Sequence, residues 1–181
     1  MRLLVTGGAG FIGSNFVRKA FDGGYSGITS VTVLDKLTYA GVKENLSQVS
    51  NLPNFEFVRG DICDPVVVRE LVSASDAIVN FAAESHVDRS ISSAADFVET
   101  NVIGVQVLLD AIKTSGRNIR FLQVSTDEVY GSIESGSWDE NCSLLPNSPY
   151  SASKAGGELL ARAYHRTHDM DIVITRCSNN Y

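Results

Sequence analysis

Six short runs rich in β-branched residues recur along the chain, and most carry apolar residues almost without interruption: Leu3–Thr6, Val31–Asp35, Phe55–Arg59, Ala77–Phe81, Phe121–Ser125 and Ile172–Arg176. A strand with one face in water alternates apolar and polar residues; a strand covered on both faces has no need to. Stretches of helical periodicity separate the runs. Phe11–Phe21 carries Phe11, Ile12, Phe16, Val17 and Ala20 at helical spacing, Phe97–Ile112 carries Val98, Val102, Val105, Leu108, Leu109 and Ile112, and Tyr150–His168 closes in a polar, basic turn. This alternation predicts an α/β fold: an open, doubly wound parallel sheet of Rossmann type, in three layers with right-handed crossovers. No repeat of solenoid length, low-complexity tract or interdomain linker interrupts it.

At 181 residues, 44% of them hydrophobic and 20% charged, the chain can bury a full core, which excludes a disordered segment. No apolar run approaches the ~18 residues of a membrane span, and the opening Met1–Thr6 lacks the long apolar stretch of a signal peptide. Cys63, Cys142 and Cys177 are odd in number and far apart, so neither a disulfide framework nor a metal site is expected, and a reducing, cytoplasmic setting is the default. A net charge of −6 argues against a nucleic-acid surface, yet leaves room for an anionic small ligand bound by local groups.

The first run passes directly into Gly7-Gly8-Ala9-Gly10-Phe11-Ile12-Gly13, which reads as GxxGxxG from Gly7 and as GxGxxG from Gly8. Such a turn lets the backbone lie against a pyrophosphate, whose charge the amides of the following helix receive. Asp35 closes the second run, where a carboxylate accepts hydrogen bonds from ribose hydroxyls and repels a 2′-phosphate, favouring NAD over NADP. Residues 1–181 are therefore expected to form one NAD-binding domain. Asp61-Ile62 and Phe81-Ala82-Ala83-Glu84-Ser85 follow the third and fourth runs, the first within reach of adenine, the second small enough for a cofactor to pass; Asp61 also reads as a helix cap or a loop carboxylate.

Tyr150 and Lys154 stand four residues apart behind Pro149, on one face of a helix. A phenol must fall by about three pKa units, roughly 4 kcal/mol, to act as a base near neutrality. An ammonium and an oxidised nicotinamide nearby would both favour the phenolate.

With these motifs the chain resembles the extended short-chain dehydrogenase/reductase family of NAD-dependent nucleotide-sugar enzymes, over its whole length. Within it the similarity is greatest to the dTDP-glucose 4,6-dehydratase branch. The segments Asp35–Gly41, Ala82–Ser90, Ser125-Thr126-Asp127-Glu128-Val129-Tyr130-Gly131 and Cys177–Tyr181 carry the likeness. The resemblance implies further cofactor contacts at Phe11, Ile12, Lys36, Leu37, Thr38 and Thr100, and substrate contacts at Glu84, Ser85, Thr126 and Asn179. It implies that Tyr150 and Lys154 serve oxidation at sugar C4, with Thr126 bonding the C4 oxygen. Glu128 is implied as the base that takes the C5 proton and Asp127 as the acid that releases the C6 hydroxyl, after which hydride returns from NADH. Holding Asp127 protonated near neutrality calls for a desolvated pocket and a neighbouring carboxylate, and costs on the order of 4 kcal/mol. Adjacent strand residues face opposite ways, so the chain must leave strand geometry near Thr126 if both carboxylates are to serve one substrate. Otherwise the pair is a solvated turn.

Asn101 is expected to organise backbone or water beside the tyrosine, His86 to be positional or structural, and His165 and His168 to have no role. The stripe on Phe97–Ile112 reads as a homodimer surface or as a core helix. An end at Asn179-Asn180-Tyr181, just past a strand, suggests a smaller carboxyl-terminal substrate domain beyond it; dTDP over UDP then rests on resemblance alone. Two rivals remain: an epimerase or decarboxylase using Tyr150 and Lys154 alone, and a non-catalytic NAD-sensing module with no use for Tyr150.

Overall fold

In the computed structural model, described over residues 1–180, all six runs are strands: β1 (Arg2–Thr6), β2 (Ser30–Asp35), β3 (Phe55–Arg59), β4 (Ala77–Asn80), β5 (Arg120–Thr126) and β6 (Ile172–Cys177). Tyr181, the last residue of the final motif, lies outside the described residues. The strands form one sheet in the order β3-β2-β1-β4-β5-β6, and every neighbouring pair is parallel. The helices are α1 (Phe11–Phe21), α2 (Pro65–Ser73), α3 (Val87–Ser92), α4 (Ala95–Val98), α5 (Val105–Ser115) and α6 (Pro149–His168).

Alternate strand residues feed two separate cores, which is why the runs lack polar alternation. Leu4, Leu34, Ile78 and Phe121 pack with Val68 and Val72 of α2, Leu108, Leu109 and Ile112 of α5, and Ala161 of α6. Their neighbours Leu3, Val5, Val31, Val33, Ala77 and Val79 pack on the opposite face with Val17 of α1, Leu46 and Val49. β1 has β2 on one side and β4 on the other, so the direction of winding changes there. The crevice outside the carboxyl ends of strands at such a point is where ligands enter open α/β sheets.

Local chemistry starts the helices. Asp64 caps α2, its Oδ1 accepting from Val66 N at 2.8 Å, with Pro65 at the first position. Ser148, just ahead of Pro149, and Ser151 cap α6 reciprocally. Asp61 is thus not the α2 cap.

The helix expected over Phe97–Ile112 is not regular. α4 gives way to a wide π-helical turn over Glu99–Gly104 before α5 begins. Two close approaches hold that turn. A Cβ on Gly104 would lie 2.4 Å from Ile62 Cδ1, and one on Gly157 of α6 would lie 2.3 Å from Asn101 O. The apolar stripe is core: Phe97, Val105, Leu108, Leu109 and Ile112 are buried, whereas Val98 and Ile103 of the same run are exposed.

Phe121, fully buried on β5, tests the packing of the larger core. Phe121→Ala is expected to lower stability by about 3–5 kcal/mol, read as a fall in the urea midpoint with an unchanged slope.

Candidate active site

A cavity of about 590 Å³ opens across the carboxyl ends of the strands. At its floor is the glycine turn. Gly7 has φ +68°, and a Cβ there would lie 2.5 Å from Ala82 N; at Gly13 it would lie 2.3 Å from Gly7 O. No side chain caps α1, whose first turn carries no acidic residue. Its amino-terminal amides are left for an anionic ligand. Gly7, Gly10, Phe11, Ile12 and Gly13 all line the cavity, as do Phe81, Ala82, Ala83 and Thr100 opposite.

Asp35 ties this turn to β2. Its Oδ2 accepts from Ala9 N at 2.9 Å and its Oδ1 from Leu37 N at 2.8 Å, each oxygen keeping a lone pair for a ribose hydroxyl. Beside it, Lys36 Nζ meets Asp61 Oδ2 at 2.6 Å. Burial pushes the Asp61 carboxyl up, but the Lys36 ammonium and the Cys63 amide outweigh it and hold it below the usual range. The rim thus presents an ionised Asp61, paired with Lys36, next to Thr38 and Ile62, which also line the cavity. The fit to a dinucleotide rests on these features: a floor that any Cβ would fill, uncapped amides and an ordered carboxylate.

At the other end, β5 stops at Thr126 and a 3₁₀ turn runs over Asp127–Tyr130, so the departure from strand geometry occurs where it is needed. Thr126 Oγ1 accepts from Glu128 N at 3.2 Å, capping the turn, and lies 3.4 Å from Asp127 Oδ1. Glu128 faces the cavity with Thr126, Tyr150 and Lys154. Burial, then the Asp127 charge, push the Glu128 carboxyl up. Tyr150, 8% exposed, is pushed up to about 12, first by burial and then by the Glu128 charge, with the Thr126 hydroxyl pulling the other way. Lys154 is buried, which lowers it to about 8, and its Nζ donates to Val124 O at 2.7 Å. The phenol depression expected from Lys154 is therefore not found: burial dominates both groups, and the ammonium is engaged by a backbone carbonyl.

Of the residues expected at the site, Leu37 and Asp127 are not on the cavity wall. Leu37 takes φ 57°, its amide held by Asp35, and its side chain packs on the core beneath the turn. Asp127 and Glu128 are successive residues of a 3₁₀ turn, about 120° apart, and of the two Glu128 is on the wall. Glu84, Ser85 and Asn179 do line the cavity. Asn101 clamps the strand-end loop from the π-helical turn: it accepts from Glu84 N at 3.0 Å and donates to Glu84 O at 2.9 Å and Ser153 Oγ at 2.8 Å. His86 is exposed and packs edge-on to Tyr39, His165 meets Met170 O at 2.7 Å, and His168 packs on Tyr164. Sequence reasoning gave no role to Ser90, whose Oγ accepts from Tyr150 N at 3.1 Å, or to Cys177 and Ser125 on the wall. Serines followed by a strand or helix carry no signal of such contacts.

The Asp127 charge raises Glu128, so Asp127→Asn is expected to move the Glu128 titration to lower pH; carboxyl NMR checks the direction. Gly13→Ala should destabilise the fold by about 1–3 kcal/mol in urea unfolding, since the new methyl has no room.

The profile of the GDP-mannose 4,6 dehydratase family matches residues 4–181. A dTDP-glucose 4,6-dehydratase of Streptomyces niveus is 61% identical over 184 residues, covering 100% of this chain and 54% of that protein. A dTDP-glucose 4,6-dehydratase from Streptomyces venezuelae, solved with NAD bound, superposes with a TM-score of 0.97 at 58% identity, covering 100% of this chain and 56% of that one. A UDP-glucose 4-epimerase from Thermotoga maritima gives 0.84 at 31% identity, covering 97% and 55%. The chain spans about half the length of the curated relatives it matches. With that match over residues 4–181, the chain belongs to the GDP-mannose 4,6 dehydratase family, within the extended short-chain dehydrogenases/reductases.

Proposed function

We propose that this chain is the NAD-binding, catalytic part of a dTDP-glucose 4,6-dehydratase, a hydro-lyase that leaves a 4-keto-6-deoxy sugar. The observation that carries the reading is the Thr126-Asp127-Glu128 turn at the end of β5, beside Tyr150 and Lys154 in the cavity floored by the glycine turn. Relatives of that name at 56–61% identity support it.

Gly7–Gly13 and the α1 amides would hold the diphosphate of NAD, Asp35 a ribose, and Ala82 and Ala83 the nicotinamide side. Bound there, NAD would supply the hydride acceptor and donor for the sugar, and its oxidised ring a positive charge near the phenol. Tyr150 takes the proton of the C4 hydroxyl, whose oxygen Thr126 bonds. Lys154 lines the same cavity one turn further along α6, its ammonium held on Val124 O. The resulting C4 ketone acidifies the C5 proton. Glu128, a stronger base for being pushed up, removes it, and Asp127 supplies the proton with which the C6 hydroxyl departs as water. The acid role of Asp127 rests on the resemblance and on its place beside Glu128. Glu84, Ser85 and Asn179 are assigned to the sugar nucleotide.

A homodimer and a cytoplasmic setting belong to the same reading. Val98 and Ile103 are exposed apolar side chains available to a partner, and no helix among the described residues is long and apolar enough to cross a membrane.

The test assays the longest natural form with dTDP-glucose and UDP-glucose in parallel, without added NAD. A 4-keto-6-deoxy product from dTDP-glucose is expected; a C4 epimer would make the chain an epimerase instead. Tyr150→Phe should lower kcat by roughly 10²–10⁴-fold, and no change in any activity would favour a sensing module. Asp127→Asn combined with Glu128→Gln should abolish the deoxy product yet leave reduced cofactor detectable once substrate is added.

A further inference from the structure

Two charged residues of the interior have no part in that chemistry. Glu158 on α6 is wholly buried, and the Arg176 side chain on β6 is 14% exposed; Nε and Oε1 lie 2.6 Å apart. The second carboxylate oxygen of Glu158 has no partner among the described residues. A buried ion pair contributes little to stability, because desolvation offsets most of the attraction, and an apolar pair of similar volume often serves as well. Its value must lie in what it holds in place.

Each end of the pair meets a different part of the site. Glu158 stands four residues beyond Lys154, on the same face of α6. Arg176 is paired in register with Ser125, the residue before Thr126. Its Nη1 donates to Tyr130 Oη, and its guanidinium lies over the Tyr130 ring, 4.8 Å from the centroid. Tyr130 closes the 3₁₀ turn that Asp127 and Glu128 begin, and stacks on Trp138 with centroids 5.6 Å apart and planes at 13°. One planar guanidinium therefore joins the helix of Tyr150 and Lys154 to the turn of Asp127 and Glu128.

We propose that Arg176, anchored by Glu158, is a positioning residue that sets the acid–base turn against the tyrosine–lysine helix, so that elimination follows oxidation on one seated substrate. The inference rests on the dehydratase reading above. An arginine is needed because its fork reaches two partners at once, whereas a lysine offers one compact charge. Arg176→Lys can keep Glu158 company but releases Tyr130. Tyr130→Phe keeps the ring and its stack while removing the hydroxyl that Arg176 holds.

The longest natural form, purified with its cofactor, is mixed rapidly with dTDP-glucose. Reduced nicotinamide is followed by absorbance, and 4-keto-6-deoxy product in quenched samples. In Arg176→Lys, elimination is expected to slow about tenfold or more while oxidation persists, so reduced cofactor accumulates well above the wild-type level. Tyr130→Phe should shift the balance in the same direction by less, and decides the matter alone if Arg176→Lys does not fold. Parallel slowing of both steps without accumulation, or wild-type behaviour in both variants, overturns the proposal. A wild-type enzyme that yields neither reduced cofactor nor product overturns the dehydratase reading itself, and this inference with it.

Discussion

The carboxylate of Asp35 holds the site together before any ligand arrives. By accepting the amides of Ala9 and Leu37 it fastens the glycine turn after β1 to the end of β2, the two strands on one side of the crevice. Much else follows from that fixed spacing. Gly7 can then lie against the Ala82 backbone at the end of β4, a distance no residue with a Cβ could keep. The α1 amides consequently point into the cavity. One buried acid thus acts as a structural staple while keeping the lone pairs that a ribose needs.

The catalytic end works on a different principle. Lys154, Tyr150 and Glu128 are pushed toward neutrality by burial, each in the direction its charge sign dictates. Burial thus holds Tyr150 as the neutral phenol, while it loosens the grip of Lys154 on its proton and makes Glu128 a stronger base. Asn101 and Ser90 complete the arrangement by bonding backbone and serine groups around Tyr150, which holds the phenol's helix in place without adding charge.

Much of the fold was legible in the sequence because uninterrupted apolar runs have few other uses, and α1 matched its predicted bounds residue for residue. The glycine turn, Asp35 and the tyrosine–lysine pair were legible because spacing alone brings them into place. Other features were hidden for physical reasons. The π-helical turn leaves the apolar spacing of Phe97–Ile112 nearly unaltered, so periodicity cannot report it. The inward turn of Leu37 depends on a positive φ fixed by Asp35, 2 positions earlier, through a bond no pattern encodes. A glutamate in mid-helix such as Glu158 reads as solvent-facing, and its partner lies on a strand 18 positions away. The split between Asp127 and Glu128 follows from turn geometry, which decides direction after composition has been settled.

The wide turn over Glu99–Gly104 has a consequence for how this chain can change over time. A π-helical turn holds one residue more than an α-helical turn, and each residue advances a helix by about 100°. Loss of a single residue there would yield a smoother helix, yet it would rotate Asn101 away from Glu84 or α5 away from its core. Length in this segment is consequently locked by phase, and insertions or deletions are better tolerated in the irregular stretch between Gly131 and Ser148, where no helix must keep its rotation.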